Sequence, residues 1–196
     1  PVSDALPAPL PDGRPGVWVA TPQGLVVAPA DDDLQTAGAW TLMPEFAFPS
    51  FSLARFEGRM HVGGGPPGSQ DVYVRTEAGT WERRVFSDIP FLSLVPDGDR
   101  LLAVNRFQLV LISAGGTAVY ASPDVLALVD VAQTDDGRLW VGDGALGAFP
   151  VDPNPPPGPS TFVVDPVSPS GPATNRIADL AVGADGTLWV ATQRLT

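Results

Sequence analysis

Two octapeptides of nearly identical sequence constrain the fold of this chain more than any other feature. Asp136–Asp143 reads DGRLWVGD, and Asp185–Thr192 reads DGTLWVAT. A third copy surrounds Trp18 in DGRPGVWVATPQGL, with two extra residues after the glycine. Two divergent copies, EGRMHVGG and GDRLLAVN, carry His61 and Leu102 in the tryptophan position. Self-similarity at a period of about forty residues is typical of a chain built from stacked copies of one structural unit.

Each copy has the same internal order of strand and turn signals. A short apolar run comes first, in residues 51–58, 92–98, 126–137 and 177–186. An Asp-Gly or Glu-Gly pair follows and predicts a tight turn, because glycine accepts a positive φ and the acid bonds its own backbone. The strand with the tryptophan position comes next. Third strands are predicted at 24–29, 71–75, 108–113 and 147–152, and fourth strands at 40–44, 81–86, 117–122 and 161–165.

Four antiparallel strands in every repeat predict an all-β fold, a β-propeller with about four to five four-stranded blades. We expect one domain over residues 1–196, with repeats near 1–50, 51–90, 91–123, 124–175 and 176–196. The last repeat stops after its second strand, so the last blade is predicted to be incomplete. Either residues 1–16 complete it as an outer strand, or the chain is part of a longer propeller. A β-sandwich also uses short strands, but it gives no reason for the motif to recur in register.

Composition excludes several classes of partner. The chain has 22 acidic residues against 11 basic ones, all arginine, for a net charge of −11. This charge repels phosphate backbones and anionic membrane surfaces, so nucleic acid is not an expected partner. No apolar run approaches the roughly 18 residues that span a bilayer, so no transmembrane segment is expected. Cysteine is absent, which excludes disulfides and thiolate metal sites. The chain begins with Pro1 and not with Met, which indicates a processed product or an excerpt.

The tryptophan position is predicted to be structural. In a propeller, a large side chain on the second strand can fill the wedge between blades, with an indole N–H bonded to a backbone carbonyl. Packing roles are therefore expected for Trp18, His61, Leu102, Trp140 and Trp189. His61 is the only histidine and so admits a catalytic or ligand role. Its register favours packing, however, and a lone histidine without cysteine excludes the common zinc sites. No catalytic residue and no cofactor is predicted.

Acidic residues supply the remaining candidates for chemistry. Asp130 and Asp179 lie on predicted innermost strands, from which they could point into the central channel and hold a divalent cation. The acidic run at 31–33 lacks the alternating spacing and terminal glutamate of a calcium loop, so we interpret it as a solvated loop. The proline-rich tract at 152–160 is predicted to be an exposed loop, which could dock a partner. Acids are sparse on the inner strands, which favours a binding module over an enzyme.

DGRLWVGD and DGTLWVAT, with the preceding VDVAQTD and ADLAVGA, resemble the two-component regulator propeller repeat. The segment VWVATPQGLVVAP is similar to the strand–turn–strand ending of that repeat. This resemblance implies a periplasmic or extracellular location and a sensory or interaction role, as in hybrid histidine kinases. Similar strands also occur in lyase and lactonase propellers of the streptogramin-lyase type. That second resemblance implies an enzyme with channel carboxylates and a divalent metal.

The sequence therefore favours a non-enzymatic module that binds a protein partner or a small ligand on its loop face. The alternatives are the lyase- or lactonase-type enzyme and an accessory structural subunit of a larger assembly. The unfinished edge at 186–196 favours the accessory subunit, because an open edge strand can pair with another chain in a subunit contact.

Overall fold

The computed structural model describes residues 2–121, 127–144, 147–151 and 177–192. In the described part of the chain every regular element is a β-strand, as predicted, apart from two short 3-10 turns at Ala37–Ala39 and Pro44–Phe46. It divides into two compact units, residues 1–96 and 97–196. Among the described residues, no helix has the length and apolar character that a membrane crossing requires.

The first unit contains two four-stranded antiparallel sheets, in which the strands follow chain order. Its strands are β1 (Asp4–Pro9), β2 (Pro15–Thr21), β3 (Gly24–Pro29), β4 (Thr41–Leu42), β5 (Ser50–Phe56), β6 (Arg59–Gly64), β7 (Asp71–Arg75), β8 (Trp81–Val85) and β9 (Phe91–Asp97), which reaches the unit boundary. β1 pairs with β2 along its whole length. Asp4–Pro9 thus supplies the first strand of the first sheet, and not an outer strand for the last repeat.

The second unit continues the same pattern. Its strands are β10 (Arg100–Asn105), β11 (Gln108–Ser113), β12 (Gly116–Ala121), β13 (Leu128–Gln133), β14 (Leu139–Asp143), β15 (Gly147–Val151), β16 (Ile177–Val182) and β17 (Leu188–Thr192). Antiparallel pairing gives the strand orders β10–β11–β12, β13–β14–β15 and β16–β17. The fourth strand predicted at 161–165 and the tract at 152–160 lie outside the described residues, as do 193–196 of the predicted edge.

The tryptophan position lies on the second strand of its sheet. Trp18 of β2 lies opposite Leu6 on the first strand and Val27 on the third. His61 occupies the matching place on β6, opposite Ala54 on the first strand of the second sheet. The aligned copies are therefore equivalent second strands, which is the arrangement that the repeat predicts.

The Asp-Gly turns join the first and second strands with one recurring hydrogen-bond pattern. In the β13–β14 turn, the Gly137 N–H donates to the Thr134 carbonyl (2.8 Å), and the Thr134 N–H donates to the Arg138 carbonyl (3.0 Å). Gly137 has φ +80°, in the left-handed region that glycine reaches without a Cβ penalty. Asp136 Oδ1 accepts the Thr134 hydroxyl (2.6 Å) and the Arg138 N–H (3.2 Å). These two bonds lower the pKa of Asp136 below its ordinary value.

The same acid-to-backbone bond closes two other turns. The Asp12 carboxylate accepts the Arg14 N–H (3.0 Å), and the Asp185 carboxylate accepts the Thr187 N–H (3.0 Å). In each case that backbone bond is the main reason why the pKa of the carboxyl group is lowered. The charged residue of the Asp-Gly pair thus serves the turn, as the sequence predicts.

The core of the first unit lies between its two sheets. Trp18 and Leu25 of the first sheet pack with Leu53 and Val62 of the second in one buried cluster. Phe46, on the second 3-10 turn, closes the outer end of this cluster, with its ring centroid 5.2 Å from that of Tyr73 and 5.0 Å from that of Trp81. Burial between adjacent sheets is the packing that a propeller blade pair needs.

Candidate functional site

Two acidic side chains on first strands bond to the backbone of a neighbouring sheet, and a third bonds within its own strand. Asp130 Oδ2 on β13 accepts the Leu180 N–H of β16 (2.8 Å). Asp179 Oδ1 accepts the same Leu180 N–H (3.0 Å), so the structure brings the two predicted metal candidates together on one donor. In the first unit, Asp4 Oδ2 on β1 accepts the Leu53 N–H of β5 (2.8 Å). The carboxylates of Asp130 and Asp4 therefore link one first strand to the next.

This linking position recurs within the repeat. Asp4, Ser52 and Asp130 lie opposite Ala20, Gly63 and Gly142, each of which is two residues beyond the tryptophan position. Ser52 Oγ donates to the Phe91 carbonyl of β9 (2.8 Å), which links the second sheet to the following first strand. We call Asp4, Ser52 and Asp130 the clasp residues. Sequence reasoning missed the clasp, although its signal was present as a polar residue at the same place in the first, second and fourth repeats.

Metal coordination at Asp130 and Asp179 would need further ligands. The described residues contain no group of three or more His, Cys, Asp or Glu side chains placed to hold a metal ion. Asp130 is buried and Asp179 is exposed, so the two carboxylates differ in their access to solvent. Both carboxylates accept the backbone N–H of Leu180.

Removing a clasp carboxylate is expected to destabilise the fold. Leu53 is buried, and Asp4 is the acceptor described for its N–H. Asp4→Ala removes this acceptor, which costs about 1–3 kcal/mol. Asp4→Asn keeps a carbonyl acceptor and should lose less. Asp179→Ala is the matched control, because Leu180 N–H retains Asp130 and the change should stay within about 0.5 kcal/mol. Urea unfolding of the three variants measures this order, and equal losses in all three would contradict it.

His61 is enclosed in the second sheet and has no acidic partner among its described contacts. Its ring packs against Phe56 with centroids 5.7 Å apart, and Nδ1 lies 3.3 Å from the Arg59 carbonyl. Burial lowers the pKa of His61 from 6.5 to about 4. The ring is therefore neutral at pH 7, and the nearby carbonyl places its proton on Nδ1.

The other residues at the tryptophan position differ in burial. Trp18 is 1% exposed, and its Nε1–H donates to the Pro9 carbonyl (3.1 Å). Leu102 is fully buried, and Trp140 is half-buried against the cluster formed by Ile177 and Leu180. Trp189 is 64% exposed. Similar sequence therefore does not give this position the same environment in every repeat.

A cleft of about 240 Å³ opens in the first unit beside the β1–β2 and β5–β6 turns. Its apolar lining includes Leu10, Trp18 and Met60. Three arginines also line it, namely Arg55, Arg59 and Arg75. We call this feature the arginine cleft. The sequence reasoning did not identify it, because its three arginines come from three different strands.

Among the cleft arginines, Arg75 departs from the pattern of the repeat. Arg55 lies opposite Met60, and Arg75 follows Val74, the partner of His61. The residues that correspond to Arg75 on the third strands of the other described sheets are apolar. They are Ala28 opposite Val17, Ile112 opposite Leu101, and Val151 opposite Leu139. A charged residue where a repeat otherwise uses apolar ones is a local conflict of the kind expected at functional sites.

Two neighbouring buried donors have no acceptor within the described part of the chain. Arg75 Nε is buried and has no acceptor there, and neither does Trp81 Nε1, which lies opposite Arg75 in register. Arg59 is different, because it pairs with Glu57 across 3.2 Å at the surface. A buried donor without an acceptor costs about 1–3 kcal/mol. Arg75 and Trp81 therefore each keep a donor that no described residue uses.

A second cleft of about 330 Å³ lies in the second unit at the corresponding turns. Its lining includes Asp135, Asp136 and Asp185 beside Trp140. Asp136 and Asp185 already accept backbone bonds in their own turns. Clefts at equivalent turns thus carry opposite charge in the two units.

These sheets and their connections define a β-propeller. No protein-family model and no curated protein matches the sequence. The fold is similar to that of virginiamycin B lyase from Staphylococcus aureus, with a TM-score of 0.68 and 10% identity over 96% of this chain. The chain spans 62% of the length of that lyase. A histidine-to-alanine variant of the lyase, described as catalytically inactive and seen with quinupristin, matches with a TM-score of 0.67 and 11% identity.

An extracellular domain of a two-component system is also similar in fold. The extracellular domain described as part of a hybrid two-component system from B. thetaiotaomicron matches with a TM-score of 0.64 and 14% identity. The match covers 90% of this chain and 25% of that one. At these identities the similarity establishes the propeller fold and leaves the activity to be argued from the chain's own residues.

Proposed function

We propose that this chain is a non-enzymatic β-propeller module that binds a ligand or protein, in a sensory or interaction role outside the cytoplasm. The observation that carries this proposal is the arginine cleft. It offers basic side chains, and one of them, Arg75, keeps a buried Nε–H without an acceptor at a position where the other described third strands are apolar. We also propose that the two units form one propeller domain over residues 1–196. The similarity to the extracellular domain of a sensor system supports the location.

The chemistry of the first strands also supports a binding role. The clasp carboxylates of Asp4 and Asp130 accept backbone N–H groups, so they are engaged in holding sheets together. His61 is buried, and its low pKa makes it a poor general base near pH 7. A catalytic centre needs convergent acids or an accessible base. These contacts are therefore more typical of a scaffold than of an active site.

A lyase-type enzyme is the second candidate, favoured by the similarity to virginiamycin B lyase over 96% of this chain. One experiment separates the two. The purified chain is incubated with quinupristin, with and without Mg²⁺, and the compound is followed by liquid chromatography and mass spectrometry. We expect no consumption beyond the control without protein. Repeated turnover would overturn the non-enzymatic proposal in favour of the lyase.

The binding role is tested independently of that assay. Differential scanning fluorimetry of the chain against a set of small anionic, neutral and cationic compounds should give an upward shift of the unfolding temperature for at least one class, because a ligand that binds only the folded state stabilises it. A set that produces no shift at millimolar concentration would contradict a small-ligand role.

An accessory role in a larger assembly is a third candidate. Trp189 and Val190 on β17 are 64% and 37% exposed, which leaves adjacent apolar side chains at the surface. Exposed apolar patches often mark contacts with other proteins. In such an assembly β17 would provide the subunit contact.

A further inference from the structure

We propose that the arginine cleft binds the carboxylate of a small acid that carries an apolar group. This chemistry is shared by the C-terminal residue of a peptide and by a free organic acid. The inference rests on the proposed function and deepens it, since it names the class of ligand that this module takes. It draws on the charge, the lining and the size of the cleft.

The charge of the cleft selects an anion. Arg55 and Arg75 both line it, and neither has an ion-pair partner among the described residues. The guanidinium fork of an arginine presents parallel N–H donors that match the two oxygens of a carboxylate. Arg75 Nε–H is one such donor without an acceptor in the described structure, and because it is buried, a carboxylate in the cleft would reach it only with a shift of the Arg75 side chain. A bound carboxylate would supply the missing acceptor.

The acidic residues nearby limit the charge of the ligand. Glu77 lines the same cleft, and Arg59 already pairs with Glu57 at its rim. The chain as a whole carries a net charge of −11. These charges oppose a dianion more strongly than a monoanion. A single carboxylate therefore fits better than a phosphate.

The lining and size of the cleft select the rest of the ligand. Leu10, Trp18 and Met60 form an apolar surface next to the arginines. The volume of about 240 Å³ is smaller than the roughly 300 Å³ at which pockets for drug-sized ligands begin. The cleft thus has room for one apolar side chain together with its carboxylate. An aromatic or large aliphatic acid offers its carboxylate to the arginines and its apolar group to the apolar part of the lining.

Isothermal titration calorimetry with matched probes tests the proposal on the whole chain. The probes are N-acetyl-L-phenylalanine, its primary amide, and 3-phenylpropionate. We expect the N-acetylated acid to bind at least about tenfold more tightly than the amide, because the amide lacks the charge that the arginines recognise. Equal affinity for the acid and the amide, or no binding of either acid at 10 mM, would overturn the proposal. Tighter binding of the N-acetylated acid assigns a peptide C-terminus as the source, and tighter binding of 3-phenylpropionate assigns a free organic acid.

Variants locate the bound acid. Arg75→Met keeps much of the aliphatic stem and removes the guanidinium, so it should weaken acid binding by about tenfold or more. Arg138→Met is the matched control, because it removes one positive charge from an exposed side chain of the second unit, and it should leave the affinity within about twofold. Equal weakening by both variants would overturn the assignment to this cleft.

A spectroscopic readout does not depend on the variant folding. In wild-type protein, the Arg75 Nε–H resonance should move on addition of the acid and not on addition of the amide. An unmoved resonance during saturable binding would place the acid elsewhere and overturn the proposal. If no acid binds, the proposed ligand class is wrong. The binding role is tested separately, because the fluorimetric screen also contains neutral and cationic compounds.

Discussion

Replacing Trp18 with alanine is expected to lower the free energy of unfolding by about 3–5 kcal/mol, the range for removing a buried aromatic side chain. Trp18 is 1% exposed and packs in the cluster that joins the two sheets of the first unit. The variant loses this packing and also leaves the Pro9 carbonyl without its indole donor. Urea unfolding followed by far-ultraviolet circular dichroism measures the loss, since this signal does not depend on tryptophan fluorescence.

Trp189→Ala is the matched control for this prediction. It removes the same side chain from a nearly identical stretch of sequence, but Trp189 is 64% exposed. Little buried surface is lost, so the free energy of unfolding should change by no more than about 0.5 kcal/mol. Comparable losses in the two variants would show that Trp189 is covered in solution, and would contradict the difference in burial.

The contrast between Trp18 and Trp189 shows which structural features a short sequence motif determines and which it does not. The octapeptide determines its own strand and turn, because alternating apolar residues and an Asp-Gly pair act locally. The strands near Trp18, His61, Leu102 and Trp140 therefore lie where the pattern predicts them. Burial of the tryptophan depends on what packs against the strand, and that information is not contained in eight residues.

The candidate site was harder to predict for the same reason. Arg55 and Arg75 are far apart in the sequence and are placed together only by the pairing of β5, β6 and β7. Asp130 was interpreted as a channel-facing metal candidate because of its strand. Its observed partner is the Leu180 N–H, in a sheet that the chain enters 50 residues later. Contacts between repeats depend on the tertiary structure. In a single sequence they are visible only as residues that differ from the repeat pattern without an evident reason.

His61 is expected to make stability depend on pH between about 6.5 and 4. Burial lowers the pKa of His61 to about 4 in the folded state, whereas the ordinary value of 6.5 applies when the chain is unfolded. The unfolded state therefore binds more protons in this range, and stability falls as the pH is lowered from 6.5 towards 4. The shift corresponds to a loss on the order of 3 kcal/mol, complete below the folded pKa. Urea unfolding at closely spaced pH values measures it.

His61→Leu isolates this effect, because the equivalent position in the next repeat holds the fully buried Leu102. Leucine cannot titrate, so the difference in stability between wild type and variant should change with pH in the window from 6.5 to 4 and level off below it. The lowered pKa values of Asp12, Asp136 and Asp185 have the opposite origin, since hydrogen bonds favour their charged forms. The stability they add is present above their ordinary value of 3.8 and is lost only as the pH falls through the folded values, below the histidine window. Parallel pH profiles for wild type and His61→Leu would contradict a buried, neutral His61, and would return its ring to consideration as an accessible base.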